Sequence, residues 1–183
     1  MLKNIHLDYN FSIFLDADYS VHKGSCIKHQ VHELNDIHEK FGGFPKTYCL
    51  ANTIIHQLWW TADQIDYEEI GRQLYMEVIT VSSIMQPPGC VVPFHRDTFF
   101  QIDQRCPDRT ETKVRANIYL EDYKLGQFIQ YVDEADQIGT SVNWKAGNGF
   151  LWDSKILHLS SNAGLEEKYT LQVSGFYKDQ TTY

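Results

Sequence analysis

The sequence predicts an α+β domain that is mainly β: helices in the first 75 residues, then an antiparallel sandwich or barrel over residues 76–183. Three observations predict it. Apolar residues recur at helical spacing only as far as Leu74, and beyond it short runs rich in Val, Ile, Thr and Tyr follow one another. Turns bearing Gly or Asn separate those runs. A chain of 183 residues, 43% apolar and 22% charged, is long enough for one such domain and too apolar for a disordered one. Residues 1–183 therefore read as a single domain, with 1–75 as helical support and 76–183 as the β core.

Taken in order, Leu34, Ile37, His38 and Phe41 share one helical face. Close by, His29, His32, Glu33 and His38 have a spacing that could chelate an ion, but with Leu34, Ile37 and Phe41 as the apolar stripe the histidines and Glu39 read as a wet face. Trp59-Trp60 reads first as packing between helix and sheet, with a substrate platform as the alternative. Thr61-x-x-Gln64 has the form of a capping box ahead of Ile70, Leu74 and Val78, so a second helix ends near Leu74. Residues 76–85 are a strand stopped by Gln86-Pro87-Pro88-Gly89. Further strands are expected at 91–97, 114–121, 127–132, 141–145, 150–153 and 169–177, with residues 159–167 as a loop. Gly126, Gly139, Gly147-Asn148-Gly149 and Asn162-Ala163-Gly164 mark the breaks, Asn148-Gly149 being a favoured pair for a tight hairpin turn. Helices first and strands after give a sheet with N-terminal helices packed on one face.

Sixteen basic against twenty-four acidic residues leave a net charge of -8, and no stripe of Lys and Arg could displace counterions from a phosphate backbone. Nucleic acid is thus disfavoured as a partner. No apolar run approaches the roughly 20 residues that span a bilayer, and no signal-type segment follows Met1. Cys26, Cys49, Cys90 and Cys106 are scattered without a Cys-x-x-Cys pair, which fits a reduced, cytoplasmic setting free of membrane anchors.

The chemistry lies in Pro93-Phe94-His95-Arg96-Asp97. On a strand, residues two apart face the same way, so His95 and Asp97 point together. An imidazole and a carboxylate so held make two-thirds of a facial metal triad, and His158 is the candidate for the third ligand. Two imidazoles and one carboxylate leave open positions on Fe(II) for a bidentate 2-oxo acid and O2. Such an acid needs a cation for its far carboxylate. Lys168, with Thr170 on the same face, lies ten residues after His158. Arg115, Asn117 and Tyr119 share one face of their strand, and polar groups turned inward are costly unless they bind something. Arg115 rivals Lys168 as the clamp, because a guanidinium fork takes a carboxylate through two bonds. Only the spacing from His158 ranks Lys168 first.

The pattern His95-x-Asp97, His158, Lys168-x-Thr170 resembles the Fe(II)- and 2-oxoglutarate-dependent oxygenases of the double-stranded β-helix, a cupin-like jelly-roll barrel, over residues 88–176. The Lys at that offset is more similar to the prolyl 4-hydroxylase-like branch. Trp144 to Asp153 is similar to the family's strand, turn and strand before the distal His, while Gly126-Gln127 stands where a doubled glycine is frequent. The resemblance implies a dioxygenase with Fe(II), 2-oxoglutarate and O2, His95, Asp97 and His158 on the metal, and Lys168, Thr170 and Tyr119 on the co-substrate. It gives Arg115 and Asn117 supporting or substrate-facing roles. It also implies hydroxylation of an amino acid or peptidyl group, a prolyl one included, with release of succinate and CO2. Substrate would be read by loops 98–112 and 43–57, with Phe99, Phe100 and Trp152 as a dry wall. The competing readings are an oxygenase of nucleobases or other small molecules, a zinc-hydrolytic or metal-storing cupin, and a non-catalytic binding module.

Overall fold

The computed structural model describes residues 1–20, 26–28 and 54–178. The helix expected around Leu34 to Phe41, with its neighbouring histidines, lies outside the described residues, as does most of the loop 43–57. In chain order the elements are β1 (Leu2–His6), α1 (Ser12–Leu15), β2 (Cys26–Lys28), β3 (His56–Trp60), α2 (Tyr67–Leu74), β4 (Met76–Gln86) and β5 (Cys90–His95). Then follow α3 (Phe100–Arg105), β6 (Lys113–Tyr119), β7 (Gln127–Val132), β8 (Ile138–Ser141), β9 (Asn148–Trp152), β10 (Leu157–Asn162) and β11 (Lys168–Tyr177). The strands form a seven-stranded sheet, β1-β9-β6-β11-β4-β3-β2, and a four-stranded one, β5-β10-β7-β8. Every pairing is antiparallel. Residues of both sheets line one cavity, so the two face each other. The expected barrel is instead a pair of open sheets, with edges at β1, β2, β5 and β8.

Alternation in β6 and β11 decides where the core lies. Val114, Ala116, Ile118, Leu171 and Val173 turn outward and bury fully with Val81, Ile70, Leu74 and Phe14, behind the large sheet. The opposite face is left polar, and it looks onto the small sheet. Between the sheets Tyr119, Ile129, Trp144, Phe150, Trp152 and Ile156 form a second cluster.

Helix α2 starts later than expected. The Thr61 amide does donate to the predicted partner, Gln64 Oε1, at 3.0 Å, but this closes a turn. The helix is capped by Asp66, which accepts from the Glu69 amide at 2.9 Å. It ends at Leu74 as its period predicts, with Tyr75 left-handed at φ 52°. Trp60 packs edge-on against Phe14 in the core, but from strand β3, which the sequence did not signal.

Three expectations fail locally. The strand expected at 141–145 ends at Ser141, because Asn143 turns with φ 56° and the chain crosses to the other sheet. Asn148-Gly149 opens β9 rather than forming a hairpin turn; the positive φ, 85°, belongs to Gly147, whose carbonyl accepts from the Leu7 amide. The expected loop 159–167 begins as strand β10, paired on both sides. Near the end of β11, Gly175 sits at a slip in register, where a Cβ would come within 1.8 Å of the Glu77 carbonyl oxygen. Among the described residues no helix is long and apolar enough to cross a membrane.

Candidate active site

Strands β5 and β10 are neighbours, and His158 lies directly across from His95 in their ladder. The two rings are 4.3 Å apart and inclined at 56°. The ladder slips between His158 and Ser160, a bulge of the kind that re-aims a side chain beside a site. Asp97 is not carried by the strand as expected, since β5 ends at His95. Two other contacts hold it. Trp152 Nε1 donates to Oδ2 at 2.7 Å, and the Arg115 guanidinium is ion-paired with Oδ1. His95 Nε2 lies 4.0 Å from Asp97 Oδ1, and His158 Nε2 lies 3.9 Å from Oδ2. One ligand atom from each of the three residues falls within 4.8 Å of the others.

The protonation of this group follows from its surroundings. His95 Nδ1 lies 2.8 Å from the Pro93 carbonyl oxygen, and His158 Nδ1 lies 3.2 Å from that of Ile156. A carbonyl can only accept, so each Nδ1 carries the hydrogen and each Nε2 presents a lone pair. Burial pushes both imidazoles down, His95 to about 4 with His158 adding to the effect, so both are neutral at pH 7. Burial would raise Asp97, but the charges around it, Arg115 first, outweigh this and hold its carboxyl at about 2. Two neutral nitrogens and an ionised oxygen suit Fe(II) and neighbouring divalent ions.

Beside this group lies a cavity of about 230 Å³. Arg115, Asn117, Thr170 and Gln172 line it from the large sheet, and Ile129 and Ser160 from the small one. Trp59 lines it too, in keeping with the platform alternative rather than the packing one, and of the expected loop 98–112 Thr98 reaches it. Phe99 is buried against Ile102 and Phe176, Phe100 is exposed, and Trp152 is buried against the candidate ligands.

Lys168 and Tyr119 lie past the end of the cavity, behind Ser160 and Thr170. Lys168 is only 2% exposed. Its Nζ donates to the Phe128 carbonyl and Ser160 Oγ at 2.9 Å and to the Ser161 carbonyl at 3.3 Å. The Ser160 hydroxyl spends its own hydrogen on Gln86 Oε1, so all three partners accept, an arrangement that suits an ammonium. Burial opposes that charge and pulls the pKa down to about 7. Tyr119 stands opposite Thr170 in the ladder and stacks on Trp144 at 3.8 Å, with Lys168 Nζ 5.5 Å from the same indole. Among the described residues its buried hydroxyl makes no hydrogen bond of full geometry, although the Ser141 side chain acts on it. The structure thus separates the two rival cations: Arg115 stands on Asp97, and Lys168 stands near Trp144, on which Tyr119 stacks. Sequence reasoning placed Trp152 in the dry wall and missed it as the residue that holds Asp97; the signal, its place opposite Arg115 in the β9–β6 ladder, exists only once the strands have paired.

Solved structures share this fold. The structure is similar to that of a prolyl-4-hydroxylase from Pseudomonas putida, with a TM-score of 0.56 and 14% identity over 96% of this chain and 92% of that one. It is also similar to two non-heme alpha-ketoglutarate-dependent enzymes of nogalamycin biosynthesis. The epimerase SnoN matches with a TM-score of 0.64 at 10% identity, over 96% of this chain and 76% of that one. The carbocyclase SnoK matches with a TM-score of 0.56 at 12% identity, over 96% and 79%. No protein-family model matches the sequence, and no curated protein sequence matches it either.

Proposed function

We propose that this protein is an Fe(II)- and 2-oxoglutarate-dependent oxygenase in which His95, Asp97 and His158 hold the metal. One observation carries the reading: three side chains from two stretches of chain bring ligand atoms within 4.8 Å of one another, each in the protonation state a metal requires. The open cavity beside them suits a small acid. The Tyr119 hydroxyl, unpartnered among the described residues, is the second support: Tyr119 stacks on Trp144, the indole that Lys168 Nζ also approaches, and a carboxylate arriving there would satisfy a buried donor.

When bound, the ferrous ion with 2-oxoglutarate and O2 supplies the oxidation of a C–H bond, with release of succinate and CO2. The chain's residues supply the rest. His95 and His158 offer Nε2 because the Pro93 and Ile156 carbonyls hold their Nδ1 hydrogens. Trp152 fixes the Asp97 carboxylate. Tyr119, Thr170 and Lys168 receive the far carboxylate. One Lys168 hydrogen must turn from Ser160 or a carbonyl to do so, a small movement because the Ser160 hydroxyl can rotate. Trp152, Phe150 and Ile129 keep water away from the reacting end. Asn117 and Gln172 line the remaining wall and face the substrate.

Hydroxylation of an amino acid or peptidyl group is the finer reading, supported by the offset from His158 to Lys168. Anaerobic titration with Fe(II) and 2-oxoglutarate tests the proposal. A visible metal-to-ligand charge-transfer band, followed by succinate formation on admitting O2, is expected. A spectrum without the band, in a protein that binds the acid, favours a non-catalytic binding module.

A further inference from the structure

Arg115 is the charged residue that the proposed function leaves without a task. Its Nε donates to Ser174 Oγ at 2.9 Å, its guanidinium lies 5.4 Å from the Phe99 ring centroid, and its terminal nitrogen is paired with Asp97 Oδ1. The side chain is 20% exposed, against 2% for Asp97, and it borders the cavity. Its charge is permanent.

Both oxygens of Asp97 are therefore engaged, Oδ2 by Trp152 and Oδ1 by a full positive charge. In this arrangement the Arg115 guanidinium offsets the Asp97 carboxylate. A divalent ion placed between Asp97 and the two Nε2 atoms upsets this balance. It competes with Arg115 for the same carboxylate and meets a like charge one carboxylate's width away, in surroundings that screen poorly. A ligand bearing two negative charges restores the balance and gives the guanidinium another carboxylate to grip.

We propose that Arg115 makes the metal and a small dianion interdependent: the site holds a divalent ion loosely by itself and tightens on it when a dicarboxylate enters the cavity. The guanidinium is the moving part, turning from Asp97 Oδ1 toward the incoming oxygens while Ser174 keeps its Nε end in place. This inference rests on the metal centre proposed above. Linkage makes the effect reciprocal, so the dianion also binds poorly without the ion. A site built in this way gives up its metal when the acid is scarce. It also discriminates against monoanions, which leave the extra charge uncompensated.

The test measures Mn(II) affinity by calorimetry, with and without saturating 2-oxoglutarate, for the wild type, Arg115→Gln and Arg115→Lys, all checked for folding by thermal melting. Arg115→Gln is expected to bind Mn(II) alone about 5-fold tighter or better, and to lose about 10-fold of the tightening that 2-oxoglutarate gives, within the usual range of coupling between sites. Arg115→Lys keeps the charge, and so should stay within about 3-fold of wild type on both counts. If Arg115→Gln binds Mn(II) no tighter than wild type, or if Arg115→Lys binds it as tightly as the Gln variant is expected to, the inference is overturned. Should Arg115→Gln fail to fold, the Lys variant still decides. A His158→Ala control separates the two failures. If wild type and variants bind Mn(II) alike and His158→Ala does not, the metal centre stands and the Arg115 inference falls. If none binds Mn(II), both fall.

Discussion

Trp152 and Asp97, 55 residues apart, are joined by a 2.7 Å hydrogen bond from the indole N–H to Oδ2. This bond does the work the strand does not, because β5 stops at His95 and leaves Asp97 beyond its last ladder rung. Trp152→Phe keeps an aromatic ring but loses the donor. Metal affinity should fall about 10- to 100-fold, as when other outer partners of metal ligands are removed. Stability should fall by about 1–2 kcal/mol, because a buried carboxylate loses one of its donors. Calorimetry with Mn(II) and urea unfolding measure the two effects; unchanged metal affinity would show that Arg115 alone positions Asp97.

Asp97 also carries a pH signature. Its carboxyl titrates near 2 in the fold, below the ordinary 3.8, with Arg115 the main stabilising charge. The folded form therefore binds its proton later than the unfolded chain does. The resulting stability is fully present above about pH 4 and is lost as pH falls through 2; a difference of this size amounts to on the order of 2 kcal/mol. Asp97→Asn should bind no metal, and its stability should fall less between pH 5 and pH 2 than that of the wild type. Equal losses in acid would count against the buried pair.

How much of this was written in the sequence depends on the range of the contact. His95, Asp97 and His158 could be chosen from residue type and spacing, and their ligand atoms do converge. The two-faced character of β6 and β11 was legible because alternation is local: Val114, Ala116 and Ile118 bury as one set, and Arg115 and Asn117 line the cavity as the other. Strand β10 was not legible, since Ser160-Ser161-Asn162 is a loop-like run that becomes a strand only by pairing with both β5 and β7. Nor could the sequence decide between Arg115 and Lys168. That required knowing that Arg115 stands opposite Trp152 and Ser174, at the Asp97 end, whereas Lys168 stands opposite Gln86 at the other. The closed barrel was an inference from strand count, and edges are set by which strands meet.

Lys168 supplies a second signature, opposite in origin. Burial lowers its folded pKa from 10.5 to about 7, so between those values the unfolded chain holds a proton the native state has released. Stability should therefore rise with pH across that window, by at most about 1.4 kcal/mol per pH unit. Lys168→Met should flatten the rise. A bound dicarboxylate favours the ammonium, so at pH 8 the wild type should take up a proton on binding 2-oxoglutarate. Calorimetric heats should then depend on the ionisation enthalpy of the buffer, and in Lys168→Met they should not.

Tyr119 gives the sharpest separation of stability from binding. Among the described residues its buried hydroxyl has no hydrogen-bond partner, an arrangement that costs the fold about 1–3 kcal/mol unless something else arrives to use it. Tyr119→Phe removes the cost and leaves the stack on Trp144, 3.8 Å between centroids and inclined at 4°, in place. The variant should melt at the same temperature as the wild type or higher. Its affinity for 2-oxoglutarate should fall about 10-fold or more, the loss of one hydrogen bond to a charged group. Its affinity for Mn(II) alone should not change, because Tyr119 lies at the far end of the site from His95 and Asp97. If Tyr119→Phe lowered stability and left 2-oxoglutarate binding intact, the hydroxyl would be satisfied within the fold, and the carboxylate would have to be held elsewhere.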